Sequence, residues 1–243
     1  MIHYIVACYL GNRRANNSIN TKFVNNHLKF LKTSKEINKA TFVFNKSNHI
    51  DEDKIVNKVK TLGYNVLVRE NKGFSYGAWE EVLSMDDNLS KYKYSFLIED
   101  DYNPVHPNFI SYFIKKVQKD TIFVASKIAI DPKKFEIGGN RAYVHAAVSN
   151  GLLVNKHIDV EEIFSIERED IPNSYGNLGA PNQRNFLSKY TDFINELKMV
   201  DITDIAHTLF FKIEHPLGDR ILTFGNPDLP LLIEPNCINE YEL

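Results

Sequence analysis

Apolar positions along the first half of the chain alternate between two rhythms. Ile2 to Leu10 is an unbroken β-rich apolar run ended by Gly11-Asn12, which predicts a buried strand. From Thr21 to Lys32 the spacing becomes helical, with Phe23, His27, Phe30 and Leu31 near one side. Ala40 to Phe44 predicts a second short strand. Asp51 to Leu62 predicts a helix with Ile55, Val56, Val59 and Leu62 on one face, stopped by Gly63. Asn65 to Arg69 predicts a strand, Tyr76 to Leu83 a helix that turns Ala78, Trp79, Val82 and Leu83 inward, and Tyr94 to Ile98 another strand. Pro107 opens a helix carrying Phe109, Ile110, Phe113, Ile114 and Val117, and Thr121 to Ala125 is the next strand.

Strand and helix in strict alternation predict βαβ units. The expected fold class is therefore α/β, with a mainly parallel central sheet and helices on both faces. In such sheets ligands sit at the carboxyl ends of the strands, so the loops after Leu10, Phe44, Arg69 and Ile98 are expected on one rim. The second half is less regular. Ala146 to Val154 reads as a strand interrupted at Asn150-Gly151, Pro181 to Leu197 as a helix, and Thr208 to Ile213 as a strand. No repeat or linker divides the chain, so one domain is expected over residues 1–243, with a regular half to 125 and a mixed half from 126.

Composition narrows the classes. Hydrophobic residues make up 43% and charged residues 25% of the chain, an ordinary globular balance that excludes wholesale disorder. A formal charge of −2 lacks the positive excess of a nucleic-acid footprint. Two cysteines, Cys8 and Cys237, cannot build a disulfide framework or a four-thiolate zinc site. The N-terminal run carries no basic leader and no segment approaches ~20 apolar residues, so no secretory signal or membrane span is expected and a cytoplasmic location follows.

Two stretches carry chemistry. Ser95-Phe96-Leu97-Ile98-Glu99-Asp100-Asp101 places three acids directly on the end of an apolar strand. Alternation along an extended chain sends Glu99 and Asp101 to one side and Asp100 to the other. Clustered carboxylates repel unless compensated, and a divalent cation is a natural compensator, with oxygen donors that suit Mg²⁺ or Mn²⁺. An acidic triplet alone is more often a solvated turn, and it is the expected place at a parallel strand's carboxyl end that favours the metal. The second stretch, Arg69 to Trp79, follows a strand and opens a helix. Gly73 and Gly77 permit close backbone approach, and free N–H groups at a helix start favour an anion. Neither the G-x-G-x-x-G fingerprint nor a P-loop is present.

Together, Glu70-Asn71-Lys72-Gly73-Phe74-Ser75-Tyr76-Gly77-Ala78-Trp79 and Phe96-Leu97-Ile98-Glu99-Asp100-Asp101 resemble the GT-A glycosyltransferases, most closely the family 2-like group. In that group an Asn-x-Gly loop and helix precede a strand ending in an Asp-x-Asp motif. Ile5 to Leu10 is similar to the opening strand that meets the nucleotide, Thr41 to Ser47 to the second strand and its base-contacting turn, and Ser149 to Val154 to the strand lining the acceptor side. The resemblance covers about residues 2–155. It implies a nucleotide-sugar-binding half over 1–125 and an acceptor-side half over 126–243.

The resemblance further implies transfer of a sugar from a nucleotide-diphosphate donor to a hydroxyl acceptor, on a glycan in particular, with Mn²⁺ or Mg²⁺ as cofactor. Asp101 and Glu99 would hold the metal, with His215 of Glu214-His215-Pro216-Leu217-Gly218 as a third ligand. Ala7, Tyr9, Asn45, Asn71, Gly73, Glu99 and Asp100 would line the donor, and Arg13 (or Arg14) and Arg220 would meet its phosphates. Glu99 departs from the family's first Asp by one methylene, and Asn45 stands where the family often has Asp. Glu167, Glu169 and Asp170, with Glu161 and Glu162 upstream, are candidates for the catalytic base; Glu169-Asp170 is most similar to the family's acidic pair, with an inverting reaction favoured. A nucleotidyltransferase, or a non-catalytic nucleotide- or carbohydrate-binding protein on the same fold, are the alternative readings.

Overall fold

The computed structural model describes residues 1–11, 17–47, 50–85, 88–100, 102–104, 107–119, 121–125, 150–156, 158–164, 199–201 and 211–213. The expected helix over 181–197 lies outside the described residues. In chain order the elements are β1 (Ile2–Cys8), α1 (Asn17–Thr33), β2 (Lys39–Asn45), α2 (Glu52–Thr61), β3 (Asn65–Arg69), α3 (Phe74–Leu83), α4 (Asn88–Lys91) and β4 (Tyr94–Glu99). There follow β5 (Tyr102–Pro104), α5 (Phe109–Lys115), β6 (Phe123–Ala125), β7 (Gly151–Val154), α6 (Val160–Phe164), β8 (Met199–Asp201) and β9 (Phe211–Ile213).

Seven of these strands form one sheet among the described residues, in the order β3-β2-β1-β4-β7-β6-β8. β1, β2, β3 and β4 are mutually parallel, with Ile5 opposite Thr41 on one side and Leu97 on the other. β7 runs antiparallel between β4 and β6, and β8 is parallel to β6. The mainly parallel α/β sheet expected from the sequence is the one observed, and in it an Asn-x-Gly loop opens the helix ahead of the acid-ended strand, as the GT-A resemblance implies. β7 is the exception. It is admitted by Gly151, where a Cβ would stand 2.3 Å from the Val124 carbonyl oxygen. β5 and β9 form a separate antiparallel pair.

Both sheet faces are covered, which is why the strands read as unbroken apolar runs rather than alternating ones. Tyr4, Val6, Cys8, Phe42, Phe44, Phe96 and Ile98 pack against Val24 and Leu28 of α1, Ile55, Val56 and Val59 of α2, and Phe109 and Phe113 of α5. Phe96 meets the rings of Phe109 and Phe113 edge to face at 5.0 and 4.9 Å. Such pairs add roughly 0.5–1.5 kcal/mol each beyond area burial. On the opposite face Ile5, Ala7, Val43 and Leu97 pack against Trp79, Val82 and Leu83 of α3 and Ile163 and Phe164 of α6.

Two expectations are corrected. Leu62 is 42% exposed, because α2 stops at Thr61 and Gly63 turns the chain at φ +84° before that position reaches the core. Pro107 sits in the turn ahead of α5, whose N-cap is Asn108.

Candidate functional site

The parallel core brings the carboxyl ends of β1, β2, β3 and β4 side by side. At the end of β3, Arg69 gathers three neighbours. Its Nη1 donates to Asn45 Oδ1 at 2.5 Å, its Nη2 to the Lys72 carbonyl at 2.8 Å, and its Nε to Glu81 Oε2 at 2.6 Å. A planar, always-charged fork suits this task. Guanidinium only donates, so the atom facing it must be the Asn45 carbonyl oxygen, which fixes the orientation of that amide. At the mouth of the same loop Lys46 and Glu70 pair at 2.5 Å, which raises the lysine's pKa and lowers the glutamate's. Both are well exposed, so the pair orders side chains more than it stabilises the fold.

The turn between β3 and α3 is tightly drawn. Gly73 caps α3 in the left-handed region at φ +73°, and Phe74 follows at φ +51°. A left-handed phenylalanine stores strain of order 1–3 kcal/mol, of the kind that clusters at ligand-binding turns. Gly77 lets the loop fold back, since a Cβ there would lie 2.2 Å from the Lys72 carbonyl oxygen. Asn71 Oδ1 is buried with no hydrogen-bond partner among the described residues. A buried acceptor left unpaired is costly and marks a place where a donor from a ligand or water would be welcome.

The acid end of β4 divides its labour. Glu99 is partly exposed; its Oε1 accepts from Ser75 Oγ at 2.6 Å, and its N–H donates to Asn150 Oδ1 at 2.7 Å. Asp100 is 1% exposed and turns the other way. Its Oδ2 accepts from the Tyr9 N–H at 2.9 Å, and its own N–H donates to the Ala7 carbonyl at 3.0 Å. Asp100 thus clasps the end of β1, and the Tyr9 ring folds against Gly11, where a Cβ would stand 2.5 Å from it.

Behind this clasp His27 of α1 is wholly buried. One ring nitrogen, Nε2, lies 3.0 Å from the Asp100 carbonyl, and the other, Nδ1, lies 2.9 Å from the Tyr4 hydroxyl. A carbonyl only accepts, so Nε2 carries the proton and Tyr4 donates to Nδ1. Burial pushes the His27 pKa down to about 4, while the backbone carbonyls of Asp100, Glu99 and Tyr102 pull the other way. Burial also raises the Tyr4 hydroxyl well above its ordinary value. The ring is therefore neutral and the hydroxyl protonated at pH 7.

Of the residues singled out from the sequence, Ala7, Tyr9, Asn45, Asn71, Gly73, Glu99 and Asp100 lie on this one rim or in its loops. Asp101, Arg13, Arg14, Glu169, Asp170, His215 and Arg220 lie outside the described residues. Among the described residues no three potential ligands converge on a metal. The part of the donor set that is described, the partly exposed carboxylate of Glu99, has the oxygen chemistry that Mg²⁺ and Mn²⁺ take. Arg69, Ser75 and Asn150 lie in the stretches singled out from the sequence without a role of their own, and the sequence places His27 only on one side of its helix. The signal for Arg69 was present, as a lone cation at a strand end with Glu81 twelve residues on; nothing in a single sequence ties His27 to Asp100. No helix among the described residues is long and apolar enough to cross a membrane.

No family model and no curated protein matches the chain. Solved structures do align with it over most of its length. CMP:2-keto-3-deoxy-manno-octonic acid synthetase complexed with CTP aligns at 9% identity over 83% of this chain and 88% of that one, with a TM-score of 0.47. 4-Diphosphocytidyl-2C-methyl-D-erythritol synthase from Anaerococcus prevotii aligns at 14% identity over 83% and 86%, with a TM-score of 0.48. S. aureus TarS 1-349 aligns at 12% identity over 76% of this chain and 54% of that one, with a TM-score of 0.42. At these values the likeness is one of general chain course alone.

Proposed function

We propose that the rim binds a nucleotide and that the chain is a transferase, specifically a metal-dependent glycosyltransferase that moves a sugar from a nucleotide-diphosphate donor to a hydroxyl of a glycan or similar acceptor. The observation that carries this reading is the hydrogen bond from Ser75 to Glu99. It joins the Asn-x-Gly loop and helix to the acid end of β4, two motifs separated by about twenty residues in sequence, at the edge where parallel α/β sheets bind ligands.

In this reading Ala7, Tyr9 and Asn45 border the base and ribose, and Asn71 and Gly73 border the nucleotide from the β3–α3 turn. Asp100 keeps the ends of β1 and β4 together, so the two sides of the donor pocket cannot drift apart. Glu99, Asp101 and His215 would hold Mn²⁺ or Mg²⁺, which supplies electrostatic stabilisation of the negative charge on the departing diphosphate. Arg13 and Arg220 add positive charge to the same phosphates. Glu169 or Asp170 takes the proton of the acceptor hydroxyl as its oxygen bonds to the anomeric carbon and the sugar–phosphate bond breaks.

Thermal-shift screening of UDP, CDP, GDP and ADP and their sugars, with and without Mn²⁺, tests the reading. A metal-dependent rise in Tm is expected with one base, and Asp101→Ala is expected to abolish it while leaving the unliganded Tm unchanged. Failure of every nucleotide to bind would overturn it. Release of free nucleoside diphosphate, rather than pyrophosphate, is expected on turnover; pyrophosphate would assign the chain to the nucleotidyltransferases instead.

A further inference from the structure

His27 has no part in the reading above, yet it is the only histidine whose ring reaches the acid end of β4 among the described residues. We infer that His27 is a positioning residue: from the inside of the chain it clamps the backbone at Asp100, and so sets where Glu99 and Asp100 stand at the end of β4. The inference rests on the nucleotide-site reading for its functional consequence, though not for the clamp itself.

Three observations carry it. The Nε2–H of His27 donates to the Asp100 carbonyl at 3.0 Å. The ring cannot rotate away, because Tyr4 holds Nδ1 at 2.9 Å and both residues are fully buried. The proton cannot change nitrogens without loss, because the Tyr4 hydroxyl donates to Nδ1 and the carbonyl can only accept at Nε2. The far side of the turn is fixed independently. Asp100 is bonded through its N–H to Ala7 and through Oδ2 to Tyr9, and Tyr102 is 1% exposed. The turn is thus gripped from β1 on one side and α1 on the other.

The test compares His27→Leu, which removes the donor, with His27→Gln, which keeps an N–H of similar reach, and with Tyr4→Phe, which removes the hydroxyl that fixes the tautomer. Amide hydrogen exchange is measured first, without ligand. In His27→Leu the amides of Asp100 and Tyr102 are expected to exchange at least about tenfold faster relative to those of β1, equivalent to about 1.4 kcal/mol of local opening. Recovery is expected in His27→Gln, with a smaller rise in Tyr4→Phe. Calorimetry with Mn²⁺ and the best-binding nucleoside diphosphate follows, and a parallel loss of affinity per folded molecule is expected. Should His27→Leu fail to fold, exchange in Tyr4→Phe decides. Exchange at that turn unchanged relative to β1 in every folded variant overturns the clamp. If the turn loosens but wild-type protein binds none of UDP, CDP, GDP or ADP, the clamp stands and the nucleotide reading fails.

Discussion

Arg69 holds the side-chain oxygen of Asn45 across the carboxyl ends of two neighbouring strands, at 2.5 Å. Asn45 is 3% exposed, so this bond replaces one that water would otherwise make, and the same guanidinium also ties down the Lys72 carbonyl and Glu81. Replacing Arg69 with Met keeps the aliphatic stem and leaves the buried Asn45 oxygen unpaired. A loss of about 1–3 kcal/mol is expected, read as a fall in the urea midpoint at unchanged slope. Arg69→Lys is expected to recover less than half of it, because one ammonium cannot span three acceptors set in different directions. Full recovery by lysine would show that charge alone matters there.

Glycine at 77 is a packing requirement and glycine at 63 is not. A Cβ at 77 would meet the Lys72 carbonyl oxygen at 2.2 Å and Arg69 Nη2 at 3.1 Å, and the carbonyl cannot retreat without losing its bond to Arg69. Gly77→Ala is expected to cost about 2–3 kcal/mol, as overpacking in a tight site does. At Gly63, φ is +84° with nothing within 4 Å of the added carbon, so Gly63→Ala pays only the left-handed backbone cost of about 1 kcal/mol. Gly73→Val, at φ +73°, combines backbone strain with a place beside the candidate ligand. It is expected to weaken nucleotide binding in the thermal-shift assay, whereas Gly63→Ala leaves binding unchanged. Equal binding in both would make the β3–α3 turn purely architectural.

Much of this architecture is written in local pattern. The four parallel strands and the helices between them follow from runs of apolar residues broken by polar turns, because β1, β2 and β4 are buried on both faces and α2 on one, while β3 at the sheet edge is only partly buried. The antiparallel course of β7 is not local: Gly151 to Val154 has the composition of any buried strand, and its direction depends on how the chain returns from residues far away. The acid cluster shows the same limit. Alternation correctly separates Glu99 from Asp100, but it does not say which of them meets solvent. That is decided by the partners, Ser75 on the α3 side for Glu99 and the Tyr9 N–H for Asp100, and these lie 24 and 91 residues away in sequence.

His3 sits on β1 far from the rim and makes stability depend on pH. It is fully buried, bonded through Nε2 to Thr41 Oγ1 at 2.8 Å, with the Tyr92 ring 5.1 Å away. Burial, helped by the charge of Lys39, pushes its pKa from 6.5 down to about 3. Below pH 6.5 the unfolded chain takes up a proton that the folded chain refuses until about pH 3, so stability falls as pH falls through that window. Each such histidine contributes a slope of up to ~1.4 kcal/mol per pH unit. His3→Leu is expected to flatten the dependence of the urea midpoint between pH 6.5 and 4.5 relative to the unmodified protein. An unchanged slope would show that His3 takes up its proton in the folded state.

Ser75 offers the sharpest separation of stability from ligand binding. Its hydroxyl is 8% exposed at residue level and donates to a carboxylate that is only partly buried, so water can replace much of what Ser75→Ala removes. A stability loss of about 1 kcal/mol is expected. The carboxylate itself, however, loses one anchor, and in the proposed reading a metal ligand that must be ordered on binding binds less tightly. Affinity for Mn²⁺ with nucleoside diphosphate is expected to fall about tenfold, within the range typical when the partner of a metal ligand is removed. Glu99→Gln keeps an oxygen for Ser75 and removes the charge, so it is expected to preserve Tm and to lose most of the metal-dependent shift. If Glu99→Gln binds Mn²⁺ and nucleotide as the unmodified protein does, Glu99 is not a metal ligand, and the Ser75 bond is a brace between α3 and β4 alone.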